Sequence, residues 1–114
     1  MGYKKKENSS NFLNRLLLSQ DCIFDAAFEA FTPRWTAQVL FCIYLDINRF
    51  SHIKKKLDGI SDHILGVRLN KLVEKKLIQK KTVGGEKVYV ITAKGRDLVE
   101  IIESLARWQA QANR

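Results

Sequence analysis

The residues best suited to chemistry lie between Lys54 and Lys87, and the chemistry they suit is the holding of a polyanion. Arg68 carries a planar fork of donors that can clamp a phosphate or meet a guanine edge bidentately; its competing structural role is an ion pair with Glu74 or another neighbour. His63, Val67 and Lys71 fall on the same free side of an expected helix as Asn70 and Glu74. Val67 cannot hydrogen-bond a base but can contact a thymine methyl. Ser61 opens that helix, where a hydroxyl caps free N–H groups and often sits against a phosphate. Lys54 and Lys55 precede it and Lys80, Lys81 and Lys87 follow it, all of a type that neutralises phosphates. Gly66, inside the helix, costs about 1 kcal/mol against alanine and marks a close approach, either to the core or to something outside.

The other reactive side chains form no constellation. Cys22 and Cys42 have no His or Cys partner at metal-ligand spacing, and neither a zinc site nor a disulfide framework is indicated. Cys42, inside an apolar stretch, reads as core. Cys22 opens an expected helix, whose N-terminus favours a thiolate, whereas Asp21 and Asp25 oppose it. His52 lies among lysines with no nucleophile or carboxylate arranged around it, and the glycines fall at turns rather than in a phosphate-cradling loop. No enzyme, cofactor or metal is expected.

The elements that must position these residues follow from periodicity. Leu65, Leu69, Leu72 and Val73 make an apolar stripe that predicts a helix from Ser61 to about Lys76. Before it, Asp58-Gly59 predicts a sharp corner, Ile60 occupies a hydrophobic-staple position, and a helix from Ser51 to Leu57, capped by Ser51, points Phe50, Ile53 and Leu57 inward. After it, two strand-like runs flank Gly84-Gly85, a hairpin signal. Thr92 is expected to cap a long helix from Ala93 to about Ala112, in which Leu98, Ile101, Ile102, Leu105 and Trp108 recur at three- and four-residue steps. Upstream, a helix from Cys22 to Phe31 ends at Thr32-Pro33. A nearly all-apolar helix from Arg34 to about Asp46 then starts with Thr32 as cap. Residues 11 to 18 form a short helix with Phe12 and Leu16 on its apolar side, and residues 1 to 10 read as a basic, mobile arm.

At 114 residues the chain fits one domain, with residues 11–114 as a single winged unit. The formal net charge of +8 is unevenly spread: residues 49 to 96 hold thirteen basic and four acidic side chains, whereas the segments 21–48 and 97–114 are net acidic. A basic excess confined to one structural unit is the footprint of counter-ion release from a polyanion. The longest apolar run, Val39 to Leu45, is far below the roughly 20 residues that span a bilayer, and the N-terminal region makes a poor signal peptide. A cytoplasmic location without membrane association is expected. The fold class expected is mainly α with a small β-hairpin wing: a winged helix-turn-helix over about 50–76, a wing over about 77–92, and extra N- and C-terminal helices for dimerisation.

Over roughly Cys22 to Trp108 the chain resembles the HxlR-type transcriptional regulators, a branch of the winged helix-turn-helix proteins related to the MarR group. The resemblance is carried, in order, by Cys22, Arg34-Trp35, Phe50-Ser51, Gly59-Ile60-Ser61, Leu65 with Arg68-Leu69 and Leu72, and Ile91-Thr92 with Gly95. Departures are Ile23 where a Pro follows the Cys, Asp62-His63 where Pro-Lys is common, Gly66-Val67 where Thr-Gln is common, and a short wing without a Pro-rich stretch. The resemblance implies a homodimer, with Phe12, Leu16, Leu98, Ile101, Ile102, Leu105 and Trp108 as interface residues. It implies two recognition helices in successive major grooves of double-stranded DNA, and more often a repressor. In some members the residue matching Cys22 senses oxidants or electrophiles, which makes a redox or small-molecule effector an open expectation. The reading from a different class is a winged helix that serves protein interaction or RNA binding without operator-specific readout.

Overall fold

The computed structural model describes residues 11–15 and 23–112, with the exception of the Phe24 side chain. The expected N-terminal arm, Leu16 and Cys22 lie outside the described residues. The chain divides into two compact units between Thr32 and Pro33. In the first, residues 11–15 are helical (α1), with the Arg15 guanidinium 5.9 Å from the Phe12 ring centroid. Helix α2 spans Ile23–Glu29. It stops short of the expected Phe31 because the chain closes into a tight turn, with the N–H groups of Phe31 and Thr32 both donating to the Phe28 carbonyl (3.1 and 2.9 Å).

The second unit is built around α3, Thr36–Tyr44, which packs against α4, α5, α6 and β2. It begins later than its apolar run predicts. Trp35 sits in the left-handed region (φ 78°), and the Thr36 N–H donates to the Pro33 carbonyl (3.0 Å). Pro33 and Arg34 therefore belong to a turn, and Thr32 does not cap the helix. A left-handed bulky residue costs on the order of 1–2 kcal/mol. The Trp35 ring offsets this by packing against the core, with the Arg34 guanidinium 5.2 Å from its centroid. From α3, Thr36, Val39, Leu40, Cys42 and Ile43 are buried, which makes Cys42 a core residue as expected. Burial pushes its thiol above the ordinary value of 9.0, against a smaller opposing pull from Lys56. The helix ends with Asp46 at φ 66° and the Ile47 N–H on the Cys42 carbonyl (2.8 Å), a left-handed C-cap made without glycine.

Helix α4, Phe50–Lys56, takes Arg49 in extended conformation as its N-cap, with no side-chain capping bond. Ser51 is thus an exposed first-turn residue and not the expected cap. Of the three residues expected inward, Ile53 is buried, Leu57 half-buried and Phe50 exposed. The corner behaves as its sequence predicts: Gly59 has φ 97°, Ile60 is buried, and Ser61 Oγ accepts from the Ile64 N–H at 3.1 Å at the start of α5, Asp62–Glu74.

Strands β1 (Ile78–Val83) and β2 (Glu86–Ile91) pair antiparallel, with Ile78 opposite Ile91 and Val83 opposite Glu86. Both turn glycines have positive φ (58° and 83°), the backbone that a two-residue hairpin of this twist requires. The hairpin is joined to the body through the Tyr89 N–H, which donates to the Asn48 carbonyl (3.0 Å), and an ion pair between Arg49 and Glu86. Helix α6 then runs Ala93–Ala112. Thr92 caps it as expected by accepting from the Gly95 N–H (3.0 Å), and its hydroxyl also points between the carbonyls of Lys76 (2.8 Å) and Leu77 (3.0 Å). One continuous core results, with Val39, Leu40, Ile43, Ile53, Ile60, Leu65, Leu69, Leu72, Leu77, Ile78, Tyr89 and Val99 all buried.

Candidate nucleic-acid interface

Helix α5 is held at both ends and along one side, which leaves its other side free. Leu65, Leu69 and Leu72 are essentially fully buried. At about 1.5–3 kcal/mol for each such side chain, they fix the rotation of the helix about its axis. Its N-terminus is closed by Ser61, and its first-turn Asp62 forms an ion pair with Lys54 (3.2 Å) that ties α4 to α5. At the C-terminus Lys76 adopts φ 63° and the Leu77 N–H returns to the Leu72 carbonyl (3.0 Å). Lys94 Nζ donates to the Lys75 carbonyl (3.1 Å), so the start of α6 also touches the end of α5.

The free side presents His63, Val67, Asn70, Lys71 and Glu74, all exposed, as the helical period predicts. Lys71 Nζ lies 3.2 Å from Glu74 Oε1, an exposed pair worth at most about 1 kcal/mol and readily exchanged for a phosphate. Arg68 is half-buried and does not pair with Glu74; its Nε–H donates to the Arg34 carbonyl at 2.7 Å. That bond uses one of the five guanidinium donors and leaves four. A shallow depression lined by Val67, Asn70, Lys71 and Glu74 lies on the outward face.

The flanking lysines divide by position. Lys55 is exposed, and Lys54 is half-buried and engaged with Asp62. Lys80, Lys81 and Lys87 are exposed on the hairpin. Lys80 stands opposite Tyr89 and Thr82 opposite Lys87, so Lys80 and Lys87 share one face of the hairpin while Lys81 lies on the other. One contribution was not foreseen from the sequence: the Arg34 carbonyl, 34 positions from Arg68, leaves no side-chain signature. Asn70 is exposed on the outward side, where its three-residue step beyond Val67 places it.

Among the described residues no group of His, Cys, Asp or Glu could hold a metal ion, and no helix is long and apolar enough to cross a membrane.

Comparison with known proteins agrees with this geometry. The profile of the HxlR-like helix-turn-helix family matches residues 30–114. An uncharacterised HTH-type transcriptional regulator of Methanocaldococcus jannaschii is 38% identical over 88 residues, covering 74% of this chain and 79% of that protein. Among solved structures, a MarR-family transcriptional regulator from Enterococcus faecalis superposes with a TM-score of 0.73 at 18% identity, covering 83% of this chain and 89% of that one. The reduced form of the Bacillus subtilis regulator YodB gives 0.70 at 21% identity, covering 82% and 93%. At these identities the two structures speak for the winged helix-turn-helix fold alone.

Proposed function

Because the chain belongs to the HxlR-like helix-turn-helix family, and its relatives are transcriptional regulators and not enzymes, we propose that it is a homodimeric, sequence-specific DNA-binding regulator that acts as a repressor. Helix α5 enters the major groove, and residues 11–114 work as one winged domain. The observation that carries this reading is the outward side of α5. It is a polar stripe on a rigidly held helix, set in the one segment of the chain with a large basic excess. Arg68, His63, Val67 and Lys71 face the bases and their flanking phosphates. Ser61 offers a helix N-terminus to a phosphate, and Lys54 and Lys55 meet the backbone ahead of it. Lys80, Lys81 and Lys87 bring the hairpin onto the backbone beyond.

Dimerisation is supported by α6. Ile101 and Trp108 are 59% and 61% exposed, Leu105 is exposed beside them, and Leu98 and Ile102 are half-buried. Phe12 is a further exposed apolar residue, and Leu16 completes the expected set from the sequence alone. A twofold dimer of this kind reads half-sites about one helical turn, roughly 34 Å, apart or a multiple of it. Repression rests on the family resemblance, and would act by occupancy, the bound dimer covering DNA. A redox or small-molecule effector sensed at Cys22, and a cytoplasmic site of action, rest on the sequence.

The test is a gel-shift titration of the full chain on random duplex DNA across a salt series. Binding at low salt that weakens with a steep logarithmic salt slope is expected. Absence of duplex binding at low salt, with retention of single-stranded RNA, would instead favour the RNA-binding reading.

A further inference from the structure

Gly66 has no reason inside the molecule to be glycine. A glycine in a helix interior weakens the helix relative to alanine, and it is normally retained for a positive φ or for a tight internal contact. Among the described residues the positive-φ glycines are Gly59, Gly84 and Gly85. A Cβ built on Gly66 would meet nothing within 4 Å. Gly95 shows the contrast: a Cβ there would run into the Leu77 carbonyl and come within 2.7 Å of Ile91 Cγ1. The fold would accept alanine at position 66, so the missing side chain serves something that approaches from outside.

What surrounds Gly66 says what that something is. His63, Gly66, Val67 and Asn70 stand at i, i+3, i+4 and i+7 and share one outward stripe. Val67 is 38% exposed, an apolar side chain on a helix whose other outward residues are polar. Asn70 is exposed and its side-chain amide forms no hydrogen bond among the described residues, whereas Lys71 is paired with Glu74 and Arg68 with the Arg34 carbonyl. The stripe lies within the segment of large positive charge, which complements a polyanionic duplex.

We propose that Gly66, Val67 and Asn70 form an A·T-reading subsite, an inference that rests on α5 entering the major groove as proposed above. The low surface at Gly66 lets the helix backbone sit deep in the groove. Val67 then meets a thymine C5-methyl, the one apolar group on a base edge there. Asn70 offers one acceptor and two donors from its amide, the set that matches adenine N6–H and N7 bidentately. Guanine presents two acceptors at the corresponding positions and pairs with that amide less well. Val67 and Asn70 are separated by about 4.5 Å along the helix axis, close to one base-pair step, so the subsite spans the same or adjacent base pairs.

The experiment is selection of binding sites from a random duplex pool with the full chain, followed by titration of the selected duplex. An A·T pair is expected at one position, or at two neighbouring positions, of each half-site. Replacing the thymine there by uracil should weaken the parent severalfold and leave Val67→Ala unaffected. Asn70→Ala should lose about tenfold on the selected duplex and little on random duplex. Gly66→Gln should remain folded by circular dichroism and lose at least as much. The subsite is disproved if G·C pairs are enriched at those positions, or if Gly66→Gln and Asn70→Ala bind the selected duplex as the parent does. A chain that binds no duplex at all would remove the DNA reading itself along with the subsite.

Discussion

Arg68 Nε–H donates to the main-chain carbonyl of Arg34 at 2.7 Å, which fastens the outward helix to the turn ahead of α3. The bond orients the guanidinium and leaves four of its donors outside it. Arg68→Ala is therefore expected to weaken binding to a selected operator by about 1–3 kcal/mol, and Arg68→Lys to recover little, because an ammonium has no planar fork. Lys80→Ala, on the exposed hairpin, should weaken binding evenly across sequences and lower the salt slope by about one. Quantitative gel shifts on specific and random duplexes separate the two; equal losses on both duplexes for both variants would remove the base-reading role of Arg68.

Gly95 and Gly66 should respond to alanine in opposite directions. At Gly95 the new methyl meets the Leu77 carbonyl and the Ile91 side chain, and overpacking of this kind costs about 1–3 kcal/mol. At Gly66 the methyl enters open space, and the helix gains roughly 1 kcal/mol. Urea denaturation midpoints of the two variants, compared with the parent, read both signs.

The contrast between those glycines also shows what a sequence carries. The leucine stripe of α5, the Gly59 corner with Ser61 behind it, the Gly84-Gly85 hairpin and the Thr92 cap are local devices, each written in a few adjacent residues, and each is present as expected. The start of α3 was not legible. Trp35 takes a left-handed backbone that a bulky residue adopts only when its surroundings hold it there. The ends of α3 and α5 fall within two residues of the expected Asp46 and Lys76, but the left-handed backbone at those two residues was not legible, because each places a charged residue where glycine is usual. Ser51 differs in the other direction: it is a good capping residue set two positions too late, behind Arg49. At the site, the outward stripe followed from periodicity, whereas the Arg34 carbonyl depends on tertiary packing across 34 positions.

Replacing Leu105 by glutamate should convert the proposed dimer to a monomer without unfolding it. The side chain is exposed in the single chain, so the charge costs the monomer little, while it would be buried against a partner helix at much greater cost. Sedimentation velocity should show the change in mass, and far-UV circular dichroism should be unchanged. A variant that sediments as the parent does would move the interface away from this face of α6.

Thiol and phenol burial set a pH dependence. Burial raises the Cys42 thiol above 9.0 and the Tyr89 phenol above 10.0. The unfolded chain releases these protons first, so the folded state binds more protons at alkaline pH. Their contribution to stability is present below about pH 9 and is lost as the pH rises from there. The urea midpoint is expected to fall above about pH 9, and less steeply in Cys42→Val. In a Cys22→Ser background, Ellman's reagent at neutral pH should react with Cys42 only on unfolding, since the side chain is 5% exposed. Rapid reaction of the native protein would contradict this. The proposed sensing role of Cys22 fails separately if Cys22→Ser responds to diamide as the parent does.

The last turn of α5 and the first turn of α6 meet at one place. Thr92 reaches the carbonyls of Lys76 and Leu77, Lys94 reaches that of Lys75, and Gly95 lies against Leu77 too closely for any side chain. In mechanical terms this is a welded joint with no slack. On the proposed dimer built through α6, the two α5 helices would stand like the jaws of a calliper whose arms are the α6 pair, so that a small change in the crossing angle of those arms would alter the distance between the half-sites that the dimer spans.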